Sequence, residues 1–225
     1  MKFVITNDDG IEAEGIKALA NTVEGNKFII APNKEYSGCG HQITTRRGIA
    51  VEDRGNQSYS VDGTPADCAR LAIQALAPDA DWLLSGINAG GNLGVDMYLS
   101  GTVAAVREAT IGGLKAIALS HYIKSPQKID WILTSKLTKK VLDLLLSKEL
   151  PKGHFWNVNL PHLSPYQTDT EIVFCQPSKY PLPLTFKQEN NVYFYQGNYS
   201  QRGKEKDSDI DVCFSGKIAV SLVKV

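Results

Sequence analysis

The chain has 225 residues, 43% of them hydrophobic, enough for one sizeable core with an appendage. Its 24 Lys and Arg balance 24 Asp and Glu, which leaves no basic footprint of the kind that tracks long nucleic acid. No apolar run approaches the ~20 residues of a membrane span, and Met1-Lys2 leads straight into a strand without an apolar leader. The four cysteines, Cys39, Cys68, Cys175 and Cys213, form no C-x-x-C pair, which argues against a zinc or thioredoxin-like motif. Scattered thiols suit a reducing compartment, so a cytoplasmic location is expected.

Phe3-Val4-Ile5-Thr6-Asn7-Asp8-Asp9-Gly10 reads as a strand running into a tight turn, followed by a helix with Ile16, Leu19 and Ala20 on one face that fades by Gly25. Ligands of open α/β sheets bind outside the carboxyl ends of the strands, so Asp8 and Asp9 fall at a ligand-binding rim. The same residues also make an ordinary solvated turn. A second strand over 27–31, stopped by Pro32, completes a strand–helix–strand unit and predicts a parallel sheet. The loop from Asn33 to His41 follows at the same rim with Ser37, Gly38 and Gly40; its lone His41 is expected to be packed or solvated. Short strands and turns fill 43–61. Thr64, Pro65 and Asp67 then fit the N-cap, first position and first turn of a helix.

A strand over 81–84 precedes Ser85-Gly86-Ile87-Asn88-Ala89-Gly90-Gly91-Asn92-Leu93-Gly94, expected as a long flexible loop carrying Asn88 and Asn92. It is not the G-x-G-x-x-G fingerprint of a dinucleotide site. Ser100-Gly101-Thr102 opens a helix that runs to Gly112; it is either a plain N-cap or a phosphate cradle of free N–H groups. A strand over 116–120 comes next. The longest helix is expected over 130–149, burying Trp131, Leu133, Leu137, Val141, Leu144 and Leu145, and a further strand over 155–161. Beyond 162 the composition turns to Pro, Ser, Thr and Gln. Residues 192–195 form half of a projecting hairpin, 203–207 a polar loop and 218–222 the last strand. The chain thus reads as one domain, 1–225, with an α/β body to about 161 and a β-rich extension over about 162–225.

Carboxylates, hydroxyls and amide oxygens converge at one rim without sulfur or imidazole, a donor set for Mg²⁺, Mn²⁺ or Ca²⁺ rather than zinc. A hard cation beside a helix start points to phosphate-ester chemistry with metal-activated water. One carboxylate, Asp8 by choice, would accept the proton. Adjacent carboxylates count against an aspartyl-nucleophile phosphatase, whose second Asp stands two positions on. The alternative is a nucleotide-binding regulatory module without catalysis.

Five ordered blocks carry a resemblance: Thr6-Asn7-Asp8-Asp9-Gly10-Ile11; Ala31-Pro32 with Ser37-Gly38-Cys39-Gly40-His41-Gln42-Ile43-Thr44; Asp62-Gly63-Thr64-Pro65-Ala66-Asp67-Cys68; Ser85 to Gly94 with Ser100-Gly101-Thr102-Val103-Ala104-Ala105; and Asn157-Val158-Asn159-Leu160-Pro161. Together they resemble the SurE (survival protein E) family of metal-dependent nucleotidases. The resemblance implies a three-layer Rossmann-like α/β fold with a β-hairpin-rich extension. It implies one Mg²⁺ or Mn²⁺ per subunit on Asp8, Asp9, Ser37 and Asn88, and phosphate contacts from Asn92, Ser100, Gly101 and Thr102. The implied activity is hydrolysis of nucleoside 5′- and 3′-monophosphates, and of short polyphosphate, by a homodimer or homotetramer. Two features depart from the family. Leu99, preceded by Tyr98, stands where members usually carry Tyr, and the helical extension that follows the last strand in many members is absent, which favours a dimer over a tetramer.

Overall fold

The computed structural model describes residues 1–124, 127–164 and 166–225. In chain order the elements are β1 (Lys2–Thr6), α1 (Glu14–Thr22), β2 (Asn26–Pro32), β3 (Val51–Asp53), β4 (Ser58–Val61), α2 (Pro65–Leu71), β5 (Trp82–Ala89), α3 (Gly101–Ile111), β6 (Lys115–His121), α4 (Trp131–Leu145), β7 (His154–Leu160), β8 (Ile172–Phe174), β9 (Phe186–Glu189), β10 (Val192–Tyr195), α5 (Asp209–Phe214) and β11 (Ile218–Lys224). Nine strands make one sheet in the order β3-β4-β2-β1-β5-β6-β7-β11-β8, and β9 with β10 makes a separate antiparallel hairpin. The sheet is parallel except where β3 pairs with β4 and β11 with β7. Among the described residues, no helix is long and apolar enough to cross a membrane.

The near-continuous apolar runs of the central strands follow from burial on both faces. Phe3, Ile5, Leu84, Ile117 and Val158 meet Ile16 and Leu19 of α1 and Leu137 and Val141 of α4. The alternate residues Val4, Leu83, Ala116 and Ala118 meet Cys68 and Ala69 of α2 and Val103 and Val106 of α3. This is the three-layer α/β/α sandwich expected. From β1 the chain builds outward through β2 and β4 on one side and through β5, β6 and β7 on the other. The order therefore reverses at β1, and the crevice at such a switch point is where ligands bind in this architecture.

The structure departs from the sequence reading in four places. Strand β5 does not end at Leu84; it continues to Ala89 and pairs with β6 through a bulge between Ser85 and Asn88. Gly86 makes this possible: its φ is +140°, and a Cβ there would come within 2.2 Å of the Leu119 carbonyl oxygen. The glycine marks a bulge beside a neighbouring strand, not a flexible loop. Helix α4 stops at Leu145, and Leu142 rather than Leu144 completes its buried face. Helix α5, capped by the Ser208 hydroxyl, lies in a stretch read only as loop and strand. Finally, β8 and β11 widen the main sheet, so only the β9–β10 hairpin, turned by Asn190 at φ +56°, stands apart from it.

Gly15 links this packing to the rim. Gly to Ala inside a helix ordinarily stabilises by about 1 kcal/mol. Here a Cβ would meet the Ile87 carbonyl oxygen at 2.0 Å, backbone against backbone, one residue before Asn88. Gly15→Ala is therefore expected to destabilise, by roughly 1–3 kcal/mol as overpacking does. Urea denaturation reads the sign; a stabilised variant would mean that α1 does not press on β5 in this way.

Candidate functional site

At the end of β1 the Asn7 side-chain amide donates to the Gly10 carbonyl at 2.8 Å, and Gly10 takes φ +98°, which closes the turn. This is not the solvated turn that the residue types allow. Asn7 is fully buried and Asp8 is 4% exposed, with Asp9 half-buried beside it. The Thr102 hydroxyl donates to Asp8 Oδ1 at 2.5 Å, and the backbone N–H groups of Gly101 and Thr102 also point at this carboxylate. A Cβ on Gly101 would lie 2.7 Å from Asp8 Cβ. The start of α3 thus cradles a carboxylate of the protein itself, as helix N-termini cradle anions.

The other candidates arrive on separate elements. Ser37 sits on the exposed loop after β2, tied down by Tyr36 N–H to the Asp8 carbonyl at 2.8 Å and by Gly40 N–H to the Leu99 carbonyl at 3.1 Å. His41 is packed as expected: its Nε2 lies 2.8 Å from Glu108 Oε2 on α3, which anchors the far end of this loop. Asn88 is the penultimate residue of β5; its amide nitrogen donates to the Gly90 carbonyl at 2.8 Å, leaving its oxygen for a ligand. Asn92 donates from its side chain to Ser120 Oγ at 2.8 Å. The Ser100 hydroxyl caps α3 by accepting from Val103 N–H at 3.1 Å.

Asp8, Asp9, Ser37, Asn88, Asn92 and Ser100 share one cavity of about 360 Å³. Gly101 and Thr102 lie behind Asp8, and Thr102 is fully buried. The Thr102 hydroxyl donates to Asp8, and the missing Gly101 side chain admits Asp8. Among the described residues there is no cluster of three or more His, Cys, Asp or Glu side chains able to hold a metal ion. Any cation here must combine the two carboxylates with neutral oxygens.

Burial raises the Asp8 carboxyl above its usual range against the pull of Thr102 and the α3 amides. Burial first, and then the Asp8 charge, push Asp9 up to about 6, with Ala89 N–H acting the other way. Among the described residues, no basic side chain offsets either acid. Two adjacent, half-desolvated acids with open oxygens are what a hard cation relieves, and Ser37 and Asn88 add oxygen donors of the same kind. The donor set fits Mg²⁺ or Mn²⁺.

Two groups of residues escaped the sequence reading. Asn157 and Asn159, polar positions alternating within a buried strand, both donate to the Asn92 carbonyl at 2.9 and 3.1 Å, and Asn159 Oδ1 accepts from Asn92 N–H at 2.7 Å. That alternation was a legible signal for a polar brace inside the core. On the opposite wall, Asp96 Oδ2 receives Tyr199 OH and Arg202 Nη1, each at 2.5 Å. The partners of this second group lie more than a hundred positions apart, so no local pattern announces them.

These features define a three-layer α/β protein with an oxygen-donor pocket at the switch point of its sheet. The chain belongs to the SurE family: residues 3–180 match the family described as survival protein SurE. A relative from Synechocystis sp. is 52% identical over 225 residues, covering all of both chains. The protein named 5′-nucleotidase SurE of Paramagnetospirillum magneticum is 35% identical over 230 residues, covering 98% of this chain and 88% of that one. The crystal structure of the SurE protein from Aquifex aeolicus superposes with a TM-score of 0.87 at 28% identity, covering 100% of this chain and 93% of that one.

The raised Asp9 carboxyl has a consequence for stability. Folded Asp9 releases its proton near pH 6, whereas the unfolded chain does so near 3.8. The folded state binds more protons between these values, so stability falls as pH rises through that window. In metal-free buffer the denaturation midpoint of Asp9→Asn is expected to lose this part of the fall. Identical pH profiles for variant and wild type would show that Asp9 is not strained in this way.

Proposed function

We propose that this chain is a divalent-cation-dependent nucleotidase that hydrolyses nucleoside 5′-monophosphates to nucleoside and phosphate. The observation that carries the reading is the unrelieved pair Asp8–Asp9, which shares one cavity with Ser37, Asn88, Asn92 and Ser100. Membership of a family whose relatives are named 5′-nucleotidase supports the substrate class. The resemblance extends the expected substrates to 3′-monophosphates and short polyphosphate.

Asp8, Asp9, Ser37 and Asn88 would hold one Mg²⁺ or Mn²⁺. Bound there, the cation supplies Lewis acidity toward a phosphate oxygen and lowers the pKa of water. The chain's own residues do the rest. The Thr102 hydroxyl donates to Asp8 Oδ1 and orients this carboxylate, which leaves Oδ2 for a ligand. Asp9 is half-buried where Asp8 is 4% exposed, and one of these two carboxylates serves as proton acceptor. The Ser100 hydroxyl and the Asn92 side chain face the cavity and hold phosphate oxygens. The four unpaired cysteines suit a cytosolic setting.

A homodimer is part of the same proposal. The β9–β10 hairpin exposes Phe186, Val192, Tyr193 and Phe194. A lone two-stranded hairpin is at best marginally stable in water, so a second copy packed on it is the expected partner. A homotetramer needs a further interface. Light scattering is expected to give twice the 24.6 kDa chain mass. A monomer at micromolar concentration would refute the dimer without touching the site.

Phosphate release tests the activity. A panel of 5′- and 3′-nucleoside monophosphates and short polyphosphate is assayed with Mg²⁺, with Mn²⁺ and with chelator. Release is expected only with metal, and Asp8→Asn and Asp9→Asn are each expected to lose at least about 100-fold in kcat, in line with general-base loss. Variants that stay folded and keep wild-type kcat would sink the assignment. No release by folded wild type under any metal would move the chain to a nucleotide-binding module without catalysis.

A further inference from the structure

The cavity is lined by two chemically distinct sets of side chains: Asp8, Asp9, Ser37, Asn88, Asn92, Asp96 and Ser100 on the one hand, and Leu99, Leu182, Tyr195 and Tyr199 on the other. The polar set and Leu99 lie within the segment matched by the family, residues 3–180. The remainder of the apolar wall comes from beyond residue 180. Resting on the nucleotidase reading, we propose that this wall recognises the nucleoside, and that Tyr195 is the aromatic surface on which the base stacks.

Tyr199 is not the stacking residue, because it is a strut. Its hydroxyl is bound to Asp96 at 2.5 Å and its ring lies 4.8 Å from the Arg202 guanidinium carbon. Tyr98 is turned toward Arg107, 5.8 Å from its ring, and Leu99 offers only an aliphatic edge. Tyr195 is the remaining aromatic ring on the cavity, and it is 52% exposed. Phe186 holds it edge-on, with centroids 5.5 Å apart at 68°. Its hydroxyl rests over Gly197, where a Cβ would approach to 2.1 Å. The tip of the ring is thus pinned, while Tyr195 stays half exposed and lines the cavity.

The wall is also held in register with the phosphate end. The 3₁₀ turn Gly94–Tyr98 lies between Asn92 and Ser100. Arg202 binds Asp96 in this turn at 2.5 Å, with a side chain wholly shielded from solvent. Asp209 accepts from Gly94 N–H at 2.7 Å and from Ser178 N–H at 2.8 Å. The segment that bears the wall is therefore fastened to the same turn that separates two of the phosphate ligands. That fastening fixes the span between phosphate and base. Every nucleobase has a π-face, so stacking here selects for a nucleoside without strongly selecting which one.

The experiment compares kcat/KM for adenosine 5′-monophosphate with kcat/KM for ribose 5-phosphate, which has no base. For Tyr195→Ala the ratio of the two is expected to fall about tenfold or more, mainly through KM of the nucleotide. Tyr195→Phe, which keeps the ring, is expected to restore it. Free adenosine is expected to compete with ribose 5-phosphate in the wild type, a readout independent of whether the variants fold. An unchanged ratio in Tyr195→Ala, a fall in Tyr195→Phe equal to that in Tyr195→Ala, or no competition by adenosine would each overturn the proposal. Wild-type activity on ribose 5-phosphate alone would overturn it while leaving a phosphatase. No activity on either ester would overturn the nucleotidase reading itself.

Discussion

A carboxylate buried at the end of the first strand makes demands that much of the site exists to meet. Asp8 lies among apolar strands with a second acid next to it and, among the described residues, no basic side chain that offsets its charge. A lone buried charge is costly unless hydrogen bonds or a counter-charge replace water. Here the start of α3 supplies the hydrogen bonds. Gly101 lets the helix end approach, Thr102 adds a hydroxyl, and the aligned peptide dipoles favour the negative charge. What these groups leave uncompensated falls chiefly on Asp9, which burial and the neighbouring Asp8 push up to about 6.

The same logic organises the polar groups around the pocket. The loop from Asn92 to Ser100 has little regular structure, yet it must present two side chains to one small volume. Asn157, Asn159 and Ser120 hold it from the sheet, and Arg202, Tyr199 and Asp209 hold it from the C-terminal segment. Among the described residues the network still leaves Asp96 Oδ1, Asn157 Oδ1 and the Nε and Nη2 of Arg202 buried without a partner. The loop that carries Ser37 is held more lightly, through backbone bonds and the contact of His41 with Glu108.

Fold and chemistry meet at the switch point. Strand β1 carries the acids, β2 leads to Ser37, β5 ends at Asn88, and α3 begins behind Asp8. None of these segments could form the pocket alone. Parallel strands with helices on both faces bring their carboxyl ends to one rim, and reversal of strand order at β1 opens the crevice there. The C-terminal segment then closes the crevice from the side with apolar and aromatic groups.

Local pattern was enough to determine the strand–helix alternation, the caps at Thr64 and Ser100, the parallel body and the hairpin, since these rest on periodicity and on residue types that act within a few positions. It also marked Asp8, Asp9, Ser37, Asn88 and Asn92 as oxygen donors after strands, and Ser100 as one at a helix start. Tertiary structure alone decided what each donor does. Gly86 looked like loop punctuation because the strand it bulges toward is remote in sequence. Nothing in the neighbourhood of Thr102 reveals that its hydroxyl donates to Asp8, 94 residues earlier. Asp96 and Arg202, 106 positions apart, carried no signal at all. The dividing line is physical: caps, turns and amphipathic faces are local, whereas the partner of a buried charge is chosen by whichever segment the fold brings to it.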